Sequence, residues 1–262
     1  MLTGYNEAFI IDTAKRDEIL ANCKTEDERK RTAELIRPIL RGRDIKRYGY
    51  DWANLWLIAT FPAKHYDIEK YPAVKQYLLS IGIEKLEQTG KTHIVHGETI
   101  KARKKTNNKW FETQDSISYW DDFFKPKIVY MEIQTDNPQA GYPFPCYSYD
   151  NTNSITLNTA YILTSDTTNA KYILGILNSS TGRILTKYYV TQLQERQFRM
   201  LAQYVCNFPI PIVDDATSNA IIHLVDLRLD GDLSAEGKID KIVFEIFDFS
   251  SEEIAYIENR EP

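Results

Sequence analysis

The chain has 262 residues, 43% apolar and 26% charged, which suits one large domain or a domain with an appendage, with no internal repeat or low-complexity stretch. No run of 18 or more apolar residues occurs, so no membrane span is expected, and the opening Met1-Leu-Thr-Gly-Tyr-Asn-Glu7 lacks the parts of a signal peptide. The net charge of −5 hides an asymmetry: residues 207–262 carry 4 Lys+Arg against 13 Asp+Glu, leaving 28 against 24 in residues 1–206. Electrostatic potential is local, so this balance does not exclude a polyanionic partner.

In chain order, Ala8–Asp12 reads as a short buried strand, followed by a polar helix from about Thr13 to Glu34. Trp52–Phe61 is apolar and aromatic, as a central strand should be. Ile68–Leu79 looks helical, with Pro72 near its first turn, where proline is tolerated. Residues 90–109 are polar and basic and predict a loop or irregular hairpin. Lys127–Ile133 is a strand, Asp136–Asn153 a loop with short β pieces, and Ile155–Thr164 a further strand. Ala170–Tyr189 carries a helical apolar stripe, which Gly175 and Gly182 weaken. Phe208-Pro-Ile-Pro-Ile212 is extended. Helices over Ala216–Leu229 and Glu236–Phe247 follow, and Ser250-Ser-Glu-Glu253 caps a last short one.

Cys23, Cys146 and Cys206 are odd in number and widely spaced, fitting neither a disulfide framework nor a zinc cluster. They point to a reducing cytoplasm. The 17 tyrosines suit a binding surface and a β-rich core equally.

Catalytic signatures are missing. Asn137-Pro-Gln-Ala140 lacks the second proline and the aromatic of the Asn/Asp-Pro-Pro-Tyr/Phe loop with which adenine methyltransferases grip a base, and no phosphate-binding GxxxxGK[ST] loop exists. Asp121, Asp122 and Glu132 come nearest to a nuclease's carboxylates, but Glu132 is followed by Ile-Gln in place of X-Lys. His93 and His96 lie three apart with no second ligand pair. No Ser or Cys sits in a nucleophile elbow.

Binding features are richer. Five cations fall between Arg37 and Arg47, around an Arg-Gly-Arg-Asp turn followed by Tyr48 and Tyr50. Gly42 would let the backbone approach a phosphate, and Arg41 and Arg43 suit bidentate contacts with phosphates or guanine. Asp44 would pair with an arginine to lock the turn. The same turn would also serve to join two elements and pack against a neighbouring domain. Lys101, Arg103, Lys104, Lys105 and Lys109 are followed by Trp110 and Phe111. The cations suit phosphates and the tryptophan could wedge or stack; a solvated loop anchored by the two aromatics has the same composition. Thr191–Arg199 is rich in Gln and Arg, both readers of base edges, or is a polar connection with Phe198 buried.

The order of several segments carries a resemblance. Thr3-Gly-Tyr-Asn-Glu-Ala-Phe-Ile-Ile-Asp12, Arg37-Pro-Ile-Leu-Arg-Gly-Arg-Asp-Ile-Lys-Arg-Tyr48, Tyr71-Pro-Ala-Val74, Trp110-Phe-Glu112 and Lys125-Pro-Lys-Ile-Val-Tyr130 come first. Asn158-Thr-Ala-Tyr161, Tyr172-Ile-Leu-Gly-Ile-Leu-Asn-Ser179, Phe208-Pro-Ile-Pro211 and Ile239–Phe247 follow. Together they make the chain resemble the TaqI-like C-terminal specificity (target-recognition) domain of single-chain type II restriction–modification enzymes and related N6-adenine methyltransferases. Residues 192–199 carry less Arg and Lys than relatives often do.

In such enzymes the opening strand follows directly after a methyltransferase domain. The resemblance therefore implies a C-terminal fragment, with Met1 an artificial start or the product of a divided gene. It implies no catalytic or metal-binding residue and no cofactor in this chain. S-adenosylmethionine, and Mg where a nuclease is present, would belong to the upstream domains. The implied partners are double-stranded DNA and the methyltransferase domain of the same polypeptide, with no membrane.

The expected fold is α+β: a twisted, mostly antiparallel sheet flanked by helices over residues 1–213, and an acidic helical C-terminal appendage over 214–262. Arg41, Arg43, Lys46 and Arg47 would hold phosphates or bases, and Lys101, Arg103, Lys104, Lys105 and Lys109 phosphates. Trp110 would lie near the duplex, and Gln194, Arg196, Gln197 and Arg199 would read bases. The acidic tail would face the enzyme's own body or a partner. The rival reading is a docking module whose basic segments bind an acidic partner. A stand-alone nuclease is disfavoured by the carboxylate pattern.

Overall fold

The structure is a computed structural model that describes residues 2–259. It is α+β with mostly antiparallel strand pairs, as expected, though the strands form several small sheets in place of one. The chain divides into two compact units. The first comprises residues up to Leu40, Trp52–Asp121 and Asn153–Leu157; the second comprises Arg41–Asp51, Asp122–Thr152 and the described residues from Asn158 onward.

In the first unit the opening segment is half helical turn, α1 (Asn6–Phe9), and half strand, β1 (Ile10–Asp12). The polar run after it is two helices, α2 (Thr13–Ala21) and α3 (Glu26–Leu35). The break has a physical cause, since Thr25 takes an extended conformation and accepts a hydrogen bond from the Glu28 amide at 3.1 Å, starting α3 afresh. Strand β3 (Leu55–Ile58) is central, pairing antiparallel with both β1 and β2 (Ile36–Leu40). Helices α4 (Pro72–Ile81), with its proline in the first turn, and α5 (Ile83–Leu86) follow. Buried Glu28 accepts from the Ala73 amide at 3.0 Å, placing a carboxylate at the positive end of α4.

Residues 90–109 contain a hairpin, β4 (Thr92–Val95) and β5 (Glu98–Lys101), turned by His96 and Gly97, both at positive φ. Beyond it Arg103, 4% exposed, threads into the unit. Its guanidinium donates to the carbonyls of Leu86 (2.8 Å), Thr3 (2.9 Å), Glu112 (2.8 Å) and Trp110 (2.6 Å).

The second unit holds β6 (Lys127–Met131), β7 (Ile133–Thr135) and β8 (Tyr147–Asp150). The predicted strand over Ile155–Thr164 is split between the units: β9 (Ile155–Thr156) pairs parallel with β2 in the first, and β10 (Ala160–Leu163) pairs with β6 in the second. Across β6 and β8, Lys127 and Asp150 face each other in register as a fully buried ion pair at 2.5 Å. Asp150 also accepts from the Tyr50 hydroxyl at 3.1 Å, so a charge that would be costly alone is compensated twice.

The predicted helix over Ala170–Tyr189 is two: α6 (Ala170–Asn178) and α7 (Ser180–Tyr189). Ser179 interrupts it in extended conformation and caps α7 by accepting from the Gly182 amide at 3.0 Å. Gly175 has a packing role, because a Cβ there would lie 2.6 Å from Ile221 Cγ2.

Beyond α7 come the hairpin β11 (Gln192–Gln194) and β12 (Gln197–Arg199), then α8 (Ala202–Val205), α9 (Asp215–Leu229), α10 (Ala235–Ile246) and α11 (Ser251–Asn259). The division expected at 213/214 does not coincide with a boundary between the compact units. Ile221, Val225, Ile239 and Val243 share one buried cluster with Tyr147, Tyr172 and Ile176, because the apolar faces of α9 and α10 are what covers α6. The Asp240 carboxylate accepts from the Ser180 amide at 2.7 Å and hydroxyl at 2.8 Å, tying α10 to the start of α7.

Two substitutions test this packing. Gly175→Ala pushes a methyl into Ile221 and should cost about 1–3 kcal/mol, read as a lower urea midpoint; an unchanged midpoint would contradict the close α6–α9 contact. Arg103→Ala removes a guanidinium donor from four carbonyls, of which those of Thr3 and Glu112 keep a second donor in the Gln114 amide and the Gln88 side chain, and should cost about 2–4 kcal/mol. Arg103→Lys should recover only part of that loss, since one ammonium cannot span the four acceptors.

Candidate nucleic-acid interface

The Arg41–Asp51 segment is held in the second unit by its own charges. Asp44, buried, accepts from Arg41 Nε at 3.0 Å, Nη2 at 2.7 Å and the Arg41 amide at 2.9 Å, so the turn is locked as its sequence predicts. Gly42 lets the backbone approach, but what it approaches is protein. Its amide donates to Thr159 Oγ1 at 2.9 Å, and a Cβ would lie 2.6 Å from the Thr159 carbonyl oxygen. Tyr48, at φ 71°, is buried, exchanging backbone hydrogen bonds with Tyr147 and Tyr149 at 2.7 and 3.0 Å.

Arg47 points inward as well. It donates to Glu236 at 2.9 Å, to the Pro145 carbonyl at 2.9 Å and to the Asn178 carbonyl, while Arg228 takes the other oxygen of Glu236 at 2.6 Å. Its expected role with phosphates or bases therefore does not fit, because its guanidinium is spent on internal acceptors. Arg41 is likewise engaged by Asp44. Arg43 and Lys46 remain exposed. Arg43 makes no hydrogen bond or ion pair among the described residues, and Lys46 has only Asp51 at 3.7 Å.

Arg43 and Lys46 line a cleft of about 500 Å³ together with Glu132, Ile133, Tyr142 and Thr159. Beside it lies the sheet of β7, β12 and β11. Arg199 pairs in register with Ile133 and grips the cleft's Glu132 at 2.9 Å. On this hairpin Gln194, Arg196 and Arg199 are exposed and Gln197 half-buried, while Phe198 is in the core. The structure thus brings Arg43, Lys46 and the hairpin's Gln and Arg residues to one part of the second unit.

The second basic segment belongs to the first unit. Lys101, Lys104, Lys105 and Lys109 are exposed. Arg103 does not fit its expected phosphate role. Burial lowers its pKa to about 10, still charged at neutral pH, and four of its five N–H donors are spent on internal carbonyls. Trp110 is half-buried and stands edge-on to buried Phe111 at 5.7 Å. His93 lies 3.5 Å from Glu87, and His96 sits in the hairpin turn. All three cysteines are free thiols, and no helix among the described residues is long and apolar enough to cross a membrane.

Sequence reasoning missed the cleft's floor. Glu132, Tyr142 and Thr159 come from three separate segments, and only the Gly- and Pro-rich spacing around Tyr142 hinted at a shaped loop. It missed two side-chain amides as well. Gln134 and Asn178 each form a reciprocal pair of hydrogen bonds with the backbone, at Cys146 and Tyr147, at 2.8–3.0 Å. They substitute for a neighbouring strand and fix the start of β8 beside Arg47.

The profile of the TaqI-like C-terminal specificity domain matches residues 37–210. The chain is similar to the type II methyltransferase M.PaeR7I of Pseudomonas aeruginosa, with 22% identity over 256 residues, covering 96% of this chain and 38% of that protein. Its fold is similar to that of the type IIL restriction–modification enzyme MmeI, solved in complex with DNA, with a TM-score of 0.60 and 17% identity over 96% of this chain and 33% of that one. The chain thus spans only about a third of the length of these relatives. With about two thirds of its length matched by the family profile, the chain belongs to the TaqI-like C-terminal specificity domains of restriction–modification enzymes.

Proposed function

We propose that this domain selects the target sequence on double-stranded DNA for an adenine-N6 methyltransferase of a type II restriction–modification enzyme. The catalytic domain would be upstream in the same polypeptide. It would bring S-adenosylmethionine, and Mg where a nuclease accompanies it, and the enzyme would work in the cytoplasm. The domain supplies no catalytic group in this reading. Its task is to hold the duplex so that one adenine meets the methyltransferase.

The observation that carries the reading is the sorting of cations in the two basic segments. Buried Arg103 and half-buried Arg47, whose guanidinium groups donate to internal acceptors, brace the backbone, and Arg41 locks its turn. Their neighbours Arg43, Lys46, Lys101, Lys104, Lys105 and Lys109 are left exposed on backbone that these arginines anchor. A preorganised cation loses little conformational freedom on meeting a phosphate, and long side chains on a floppy loop lose more. Arg43 and Lys46 would contact phosphates or bases beside the cleft. The four lysines would hold phosphates. Gln194, Arg196, Gln197 and Arg199, alternately polar and charged along a hairpin, have the donors and acceptors needed at base edges. Arg199 would have to exchange Glu132 for a base to do so.

Charge reversal provides the test. Arg43→Glu and Lys104→Glu should each leave thermal unfolding unchanged. Each should weaken binding of the chain to duplex DNA and flatten the dependence of log affinity on log salt by about 1–2. In the full-length enzyme each should lower cognate-site methylation. Unchanged methylation in both variants would overturn the proposed DNA contacts, and binding of an acidic polypeptide in preference to duplex would favour the docking reading.

A further inference from the structure

The hairpin of β4 and β5 has a feature that neither basic segment explains. It is a two-stranded ribbon that joins no larger sheet, and its two faces differ. In register, His93 lies opposite Ile100, both half-buried, with His93 3.5 Å from Glu87. The other face consists of Thr92 opposite Lys101 and Ile94 opposite Thr99, and all four residues are exposed. Ile94 is 80% exposed, an unfavourable place for a β-branched apolar side chain that packing does not require.

The ribbon's base is fixed. The Ala102 amide donates to the Lys91 carbonyl at 2.9 Å and the Gly90 amide to the Arg103 carbonyl at 2.8 Å, so the ladder runs on into the anchored Arg103. Lys91, Lys101, Lys104 and Lys105 are exposed around this base, and Glu98 is the only carboxylate between residues 91 and 111. A ribbon held at a cationic base is complementary to a polyanion. Two strands about 4.8 Å apart with their side chains fit the roughly 12 Å major groove and not the roughly 6 Å minor groove.

We infer that the β4–β5 ribbon enters the major groove of the duplex, with Ile94, Thr92 and Thr99 against base edges and the surrounding lysines on the flanking phosphates. This rests on the proposed DNA-binding function and names an element that function did not require. Threonine hydroxyls can bond to any base edge, and an isoleucine finds its apolar partner in the methyl group of thymine. Ile94 would thereby leave water on binding, which accounts for its exposure in the absence of DNA.

The test uses the whole chain and a fluorescein-labelled duplex of mixed sequence about two helical turns long, at low salt. Ile94→Asp should weaken binding at least tenfold without changing thermal unfolding. Leu233→Asp adds the same charge at a site 70% exposed on the acidic C-terminal part and should leave affinity unchanged. Arg43→Glu monitors the underlying reading separately. If Arg43→Glu weakens binding and Ile94→Asp does not, the ribbon inference fails and the DNA reading stands. Equal losses from Ile94→Asp and Leu233→Asp would reduce the effect to bulk charge and also overturn it. Failure of the unsubstituted chain to bind duplex would overturn both.

Discussion

An arginine cannot shed its proton to enter a protein interior, so a buried guanidinium must be met by acceptors on every side. Arg47 and Arg103 obey this constraint in the two units, and the placement of both basic segments follows from it. Arg103 gathers carbonyls from Thr3, Leu86, Trp110 and Glu112, residues widely separated in sequence. Arg47 gathers Pro145, Asn178 and Glu236. Each is a node through which distant chain segments are pinned, and the cations beside it in sequence are displayed because it is not.

The acidic C-terminal region takes on a different meaning in this light. Several of its carboxylates have internal work: Glu236 bridges Arg47 and Arg228, Asp226 holds Lys171 at 2.5 Å, and Asp240 caps α7. Helix α10 therefore helps to hold Arg47 in place in addition to carrying charge. The net balance of −5 says little about the partner, since part of the negative charge is neutralised within the fold and the exposed cations of the two basic segments lie elsewhere in the chain.

Much of this was legible in the sequence. Hydrophobic periodicity located α4, α9 and α10, and the Ser250 and Glu253 capping pair is present as a reciprocal hydrogen-bonded box. Asp44 could be foreseen as a turn lock because it lies three residues from Arg41. Other features could not be read. Whether Arg43 or Arg47 faces outward depends on the αL turn at Tyr48 and on Glu236, 189 residues from Arg47. Ile155–Thr164 reads as one strand because each half alternates correctly, and nothing local reveals that the halves serve different sheets. Gly175 looks like a weak point in a helix until the partner that needs its missing Cβ is known.

The central claim is that burial has sorted these arginines into braces and readers. Modification of the folded chain with phenylglyoxal, located by mass spectrometry with and without duplex DNA, tests it directly. Arg43 and Arg196 should react in the absence of DNA and be protected in its presence, while Arg47 and Arg103 stay unmodified in both. Modification of Arg47 or Arg103 in the folded chain, or reaction of Arg43 that duplex does not diminish, would contradict the account.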